Sequence, residues 1–179
     1  MKNILKKQAL GAYITLGAFV TTIVGLILYG ITVNWGDHME TANGGEYYLI
    51  ATDPIFGTIT TLGVFSVIFL VLGLCIPQFK LQGIVGKVLE VAGFVFRLLA
   101  PVFLILTFVG FINGTLTGLG WTFFSNEELA INPGAVLTGQ VNITGLVFVL
   151  LSAIIAIVAS FFKVVKDDEA PAVEEKPAE

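Results

Sequence analysis

The sequence predicts an all-α integral membrane protein: a bundle of four antiparallel transmembrane helices with both termini cytoplasmic. Three observations carry this reading. Of the 179 residues, 56% are apolar and only 12% are charged, and the mean hydropathy is +0.93. That is about half the charged share of a typical soluble domain, and a soluble chain this short leaves too much of its surface in water to hide so many apolar side chains. The apolar residues gather in four runs, at about 10–33, 58–76, 91–112 and 143–162, each near the ~20 residues that a helix needs to cross ~30 Å of hydrocarbon. The basic residues, finally, are confined to one side of these runs.

The first run follows Lys2, Lys6 and Lys7. A basic start before an apolar stretch resembles a signal peptide, but this stretch exceeds the 7–15 residues of a signal core and lacks a clean small-residue cleavage site. It reads as a retained helix. The second run follows Asp53-Pro54, a turn signal. Lys80 and Lys87 separate it from the third, which carries Arg97 and Pro101, and the fourth is followed by Lys163, Lys166 and Lys176. None of the four alternates as a barrel strand does, and only a helix satisfies its own backbone groups in lipid.

The connections 34–57 and 113–142 contain no lysine or arginine. By the positive-inside rule both are outer loops, and the ends and the short middle connection are cytoplasmic. The expected location is therefore the plasma (inner) membrane. Trp35, Tyr47, Tyr48, Trp121, Phe123 and Phe124 fall in or beside the outer loops, where amphipathic rings favour the interface. Residues 1–165 form the membrane domain. The tail 166–179, rich in Ala, Pro and Glu, has too little apolar surface to order itself.

The second outer loop contains Ser125-Asn-Glu-Glu128, in the form of a capping box, and Asn132-Pro133-Gly134, a turn signal. Asn113-Gly-Thr115 and Asn142-Ile-Thr144 match the glycosylation pattern, close to the membrane and expected to be unused. A faint repeat relates Gly57-Thr-Ile-Thr-Thr-Leu-Gly63 to Gly139-Gln-Val-Asn-Ile-Thr-Gly145.

Two ridges of small residues stand out as candidate helix-packing or partner contacts. Gly17, Thr21 and Gly25 recur every four residues in the first run, as do Ser152, Ala156 and Ser160 in the fourth. Such spacing lets helix backbones approach closely in lipid. Arg97 is the third candidate, since a charge within an apolar run is costly and often functional. It lies about 9 Å into its helix at ~1.5 Å per residue, within snorkelling reach of lipid phosphates, and Glu90 one heptad earlier shares its helix face. Trp35, Trp121, Phe123 and Phe124 are candidate outer-interface contacts.

Absences narrow the function. A lone Cys75 forms no intrachain disulfide, and one histidine, His38, provides no bis-histidine haem site. The acidic first loop (Asp37, Glu40, Glu46 and Asp53, with His38) has no established metal spacing. There is no zinc or iron–sulfur cluster motif, no phosphate-binding glycine loop and no hydrolase elbow, so neither a cofactor nor an enzymatic activity is expected. No basic face suits nucleic acid. The expected partners are the lipid bilayer and other membrane subunits. The leading expectation is a non-catalytic multi-pass subunit of a larger membrane assembly, such as a transport or export complex. The alternative is a homo-oligomeric small pore or lipid-binding protein.

Overall fold

The computed structural model describes residues 8–35, 53–79, 83–124 and 133–166. Four helices account for nearly all of them: α1 (Leu10–Trp35), α2 (Asp53–Cys75), α3 (Gly83–Phe124) and α4 (Pro133–Ser160). A single 3-10 turn, Ile76–Gln78, closes α2. All four helices are long and apolar enough to cross a membrane. No β-strand occurs among the described residues, where the one isolated bridge joins Gln8 to Val165.

The helices outrun the apolar runs that announce them. α3 has 42 residues and extends eight residues before the run 91–112 and twelve after it. Polar residues do not stop it, because Thr115 turns its hydroxyl back onto the Phe111 carbonyl at 2.8 Å and is buried. Pro101 lies inside α3 without dividing it. α4 begins at Pro133, ten residues before its apolar run. Pro133 is thus part of the first helical turn, where a missing N–H is harmless, instead of a loop turn. Asp53-Pro54 likewise opens α2. The capping box at Ser125 lies outside the described residues.

α1 packs most extensively on α4, and α2 on α3; α3 also packs on α4, and α1 more lightly on α2. The register of α1 on α4 is fixed by close pairs: Gly11 beside Lys163, Thr21 bonded to Ser152, Gly25 on Val149, and Leu28 on Gly145. On the other side of the bundle Gly73 meets Arg97, and Gly110 meets Ile59. One end of the bundle therefore holds Gln8, Arg97 and Lys163 (the Arg97 end), and the other holds the end of α1 and the start of α4 (the Trp35 end).

The interior has two apolar clusters. Nearer the Arg97 end, Ala18, Leu70, Ala100, Leu104, Ala153 and Ala156 are packed by Phe19, Phe69 and Ile155. Nearer the Trp35 end, Tyr29, Ile59, Phe111, Leu146 and Val149 pack together, with the Tyr29 and Phe111 rings edge to face at 4.4 Å. Buried hydroxyls lie among them, and most are satisfied by their own helix: Thr15, Thr22, Thr32, Ser66, Thr107 and Thr115 each donate to the carbonyl four residues earlier, at 2.7 to 3.0 Å. This local bond lets a polar side chain occupy an apolar interior.

The Thr21–Ser152 bond, at 2.7 Å between hydroxyl oxygens, predicts a cross-link. With Cys75 replaced by serine, Thr21→Cys and Ser152→Cys together will form a disulfide on mild oxidation, since the geometry suits an S–S bond of ~2.05 Å. Thr21→Cys with Ala156→Cys, one turn away, will not. Efficient linkage of the second pair alone, seen by gel mobility, would mean a different register.

Candidate functional site

The two small-residue ridges face one another within the chain. Thr21 receives the Ser152 hydroxyl and donates to the Gly17 and Ala18 carbonyls, both at 3.0 Å. A methyl group on Gly25 would lie 2.7 Å from a Val149 methyl and 3.1 Å from the Val149 nitrogen. Ala156 is buried in the apolar cluster. Gly17 differs, since a Cβ there would meet nothing within 4 Å. Ser160 bonds back to Ile157 at 2.7 Å. The glycines ending the two repeat-like segments share a role: both Gly63 and Gly145 leave room for a leucine of α1, Leu26 and Leu28 respectively.

Arg97 has partners that its sequence neighbourhood does not reveal. Its guanidinium donates to the carbonyls of Ala159 and Phe162, at and just beyond the last turn of α4. A helix end leaves carbonyls without intrahelical partners, and its dipole favours a cation there. The stem of Arg97 lies over Gly73, where a methyl group would come within 2.6 Å of its Cγ. Glu90 is exposed and forms no ion pair among the described residues.

The same end is tied together by backbone bonds. The amides of Ala9 and Gly11 donate to the Val164 and Lys163 carbonyls at 2.9 and 3.1 Å. Gly11 is required here, because a Cβ would stand 2.5 Å from the Lys163 oxygen. The side-chain amides of Gln8 and Gln78 bond reciprocally at 3.0 Å. The beginning of α1, the ends of α2 and α4 and the Gly93–Arg97 stretch of α3 thus meet in one joint.

The Trp35 end is built differently. Trp35 closes α1, and Trp121, Phe123 and Phe124 occupy the last turn of α3, where the sequence places an outer loop. Phe124 is 89% exposed. Asp37, His38, Glu40 and Glu46 lie outside the described residues. Below these aromatics is a layer of buried polar side chains: Thr32 of α1, Thr115 of α3, and Thr138 and Asn142 of α4. Gly145 contacts both Leu28 and Phe111. Three residues along α4 from there, and four along α1 and α3, bring Asn142, Thr32 and Thr115 to one level, within ~2 Å at ~1.5 Å per residue. Asn142 is fully buried, and neither its Nδ2 nor its Oδ1 has a hydrogen-bond partner. That burial removes Asn142 as a glycosylation acceptor in the folded chain. In the sequence Asn142 stands at the edge of a loop within a glycosylation pattern; a polar residue on the α4 helical period is the signal that marks it.

No protein-family model matches this chain, and no curated protein or solved structure is significantly similar to it.

Two predictions follow from the ridge and the joint. Gly25→Ala will destabilise the detergent-solubilised protein by about 1–3 kcal/mol through overpacking against Val149, whereas Gly17→Ala will be neutral or stabilising by up to ~1 kcal/mol, because alanine favours the helix. Equal effects in denaturant titrations would contradict the internal seam. Arg97→Leu removes charge-assisted bonds of roughly 1.5–3 kcal/mol. Hydrogen exchange at the Ala9 and Gly11 amides should rise on the order of tenfold or more for each ~1.4 kcal/mol lost; unchanged exchange there would show that the joint holds without Arg97.

Proposed function

We propose that the chain is inserted in the plasma (inner) membrane as an antiparallel four-helix bundle, with the Arg97 end and both termini cytoplasmic. In this reading it serves as a non-catalytic multi-pass subunit of a larger membrane assembly. The descending pairings of α1 with α4 support the antiparallel arrangement, and the basic residues, all at the Arg97 end in sequence terms, support the orientation. With Thr21, Gly25, Ser152 and Ala156 of the small-residue ridges occupied inside the chain, most of the surface open to a partner is aliphatic.

The observation that carries the subunit reading is the length of α3. Its apolar span, Gly83–Leu116, has 34 residues, about 51 Å at ~1.5 Å per residue, against ~30 Å of hydrocarbon. Gly93 packs on Pro77 and Ile76, and Arg97 reaches the end of α4. In residues 83–92, which precede these contacts, Gly86, Leu89 and Ala92 are partly buried along one face, and the other face is open. There Ile84 is 82% exposed, and Val85, Val88 and Val91 are each exposed by 60% or more. An aliphatic helical extension of this kind needs cover, which a tilted helix or a neighbouring subunit provides. We assign it to a neighbouring subunit, reached through Ile84, Val85, Val88 and Val91.

Isolation in mild detergent from the native host, through a C-terminal tag, tests the proposal. Membrane proteins in fixed stoichiometry, lost on Val85→Asp with Val88→Asp while the chain stays monodisperse, are the expected result. Recovery of the chain alone as a defined homo-oligomer would instead favour the small pore or lipid-binding alternative.

A further inference from the structure

A carboxamide offers two donor hydrogens and an oxygen with two lone pairs. On Asn142 all of them are buried and none is met by the protein. An amide sealed in apolar surroundings without partners is strongly unfavourable, and buried polar groups are satisfied either by protein or by ordered water. At the same level, Thr32 and Thr115 each give their hydroxyl proton to their own helix, at 3.0 and 2.8 Å. Both side chains are buried, and each hydroxyl oxygen keeps acceptor capacity. Donors and acceptors thus share one layer, with no direct bond from Asn142 to either threonine.

We propose that this layer is a water-binding site, in which ordered water bridges the Asn142 carboxamide to the hydroxyls of Thr32 and Thr115. Water suits the layer because Asn142 needs its donors and its acceptor met together, and a bridging water does both. A cation would leave the Nδ2 hydrogens unmet. Access is from the Trp35 end, where Thr138 adds a buried polar side chain one turn further along α4. On the other side Tyr29, Ile59, Phe111, Leu146 and Val149 close the interior with apolar surface. The site is thus a hydrated recess ending at an apolar floor. It follows from the packing of the bundle and does not depend on which partner, if any, covers α3.

Four thiol variants, each replacing a threonine, test this in a Cys75→Ser background. Thr32→Cys and Thr115→Cys place an S–H in the proposed site. Thr22→Cys and Thr107→Cys place one at equally buried positions that lie beyond the apolar floor, about 15 Å and about 12 Å deeper by helix rise. The purified protein is transferred into D2O, and the infrared S–H band is followed as it converts to S–D. Exchange needs water and a thiol able to ionise, and apolar burial slows it on the order of tenfold per unit of thiol pKa. The site predicts exchange at positions 32 and 115 at least about tenfold faster than at 22 and 107. It also predicts that adding Asn142→Leu to Thr115→Cys removes that advantage. Four equally slow thiols would mean a dry interior and overturn the site. Four equally fast ones would mean water along the whole bundle and overturn its localisation at Asn142, as would fast exchange that survives Asn142→Leu. The paired positions give the readout in duplicate if one variant fails to give a monodisperse protein.

Discussion

The close seam between α1 and α4 is the contact on which the rest of the bundle depends. In hydrocarbon, water exclusion gives helices little reason to associate, so packing and interhelical hydrogen bonds have to hold them. Here the backbones approach where side chains are smallest. Gly11 is pressed to the Lys163 carbonyl, Gly25 to Val149 and Gly145 to Leu28. A side-chain bond between the two helices, from Ser152 to Thr21, sits midway along the seam. With α1 and α4 in this register, α3 brings Arg97 to the end of α4, and α2 fills the remaining side through Gly63 and Gly73.

The two ends of the seam finish in opposite ways. At the Arg97 end, most polar groups find partners: carbonyls at the end of α4 accept from Arg97 Nη2, amides donate to carbonyls, and two glutamines pair, while Arg97 Nε is buried without a hydrogen-bond partner. At the Trp35 end, a polar layer is enclosed and one carboxamide is left unmet. These bonds tie several chain segments together, so the first end reads as a clamp. The unmet layer reads as the place where the bundle interior takes up something from outside itself.

Much of the fold was legible in the sequence, because twenty apolar residues in a row have few alternatives. The four helices and the small-residue spacing of Thr21, Gly25, Ser152 and Ala156 were visible as patterns. Helix ends were not. Hydropathy stops at Ile112 and begins again at Ile143, yet α3 continues to Phe124 and α4 starts at Pro133, because Thr115, Thr138 and Asn142 face inward. Arg97 was recognisable as unusual, but its partners lie 62 and 65 residues away and are backbone carbonyls, which carry no sequence signature. Gly17 fits the ridge pattern yet contacts nothing through its missing Cβ, since a period of four drifts from the helical 3.6 and leaves the seam after a few turns.

The proposed bundle lies across the membrane, with an aliphatic face of the first ten residues of α3 left open. Hydrogen exchange resolved by residue, on the protein in lipid nanodiscs, tests this most directly. Continuous slow blocks are expected in all four helices. In α3 the slow block should begin near Gly93, with residues 83–92 exchanging much faster. Fast exchange through the middle of any of the four helices would contradict the membrane-spanning account, and a slow block in α3 that begins at Gly83 would contradict an open start of α3.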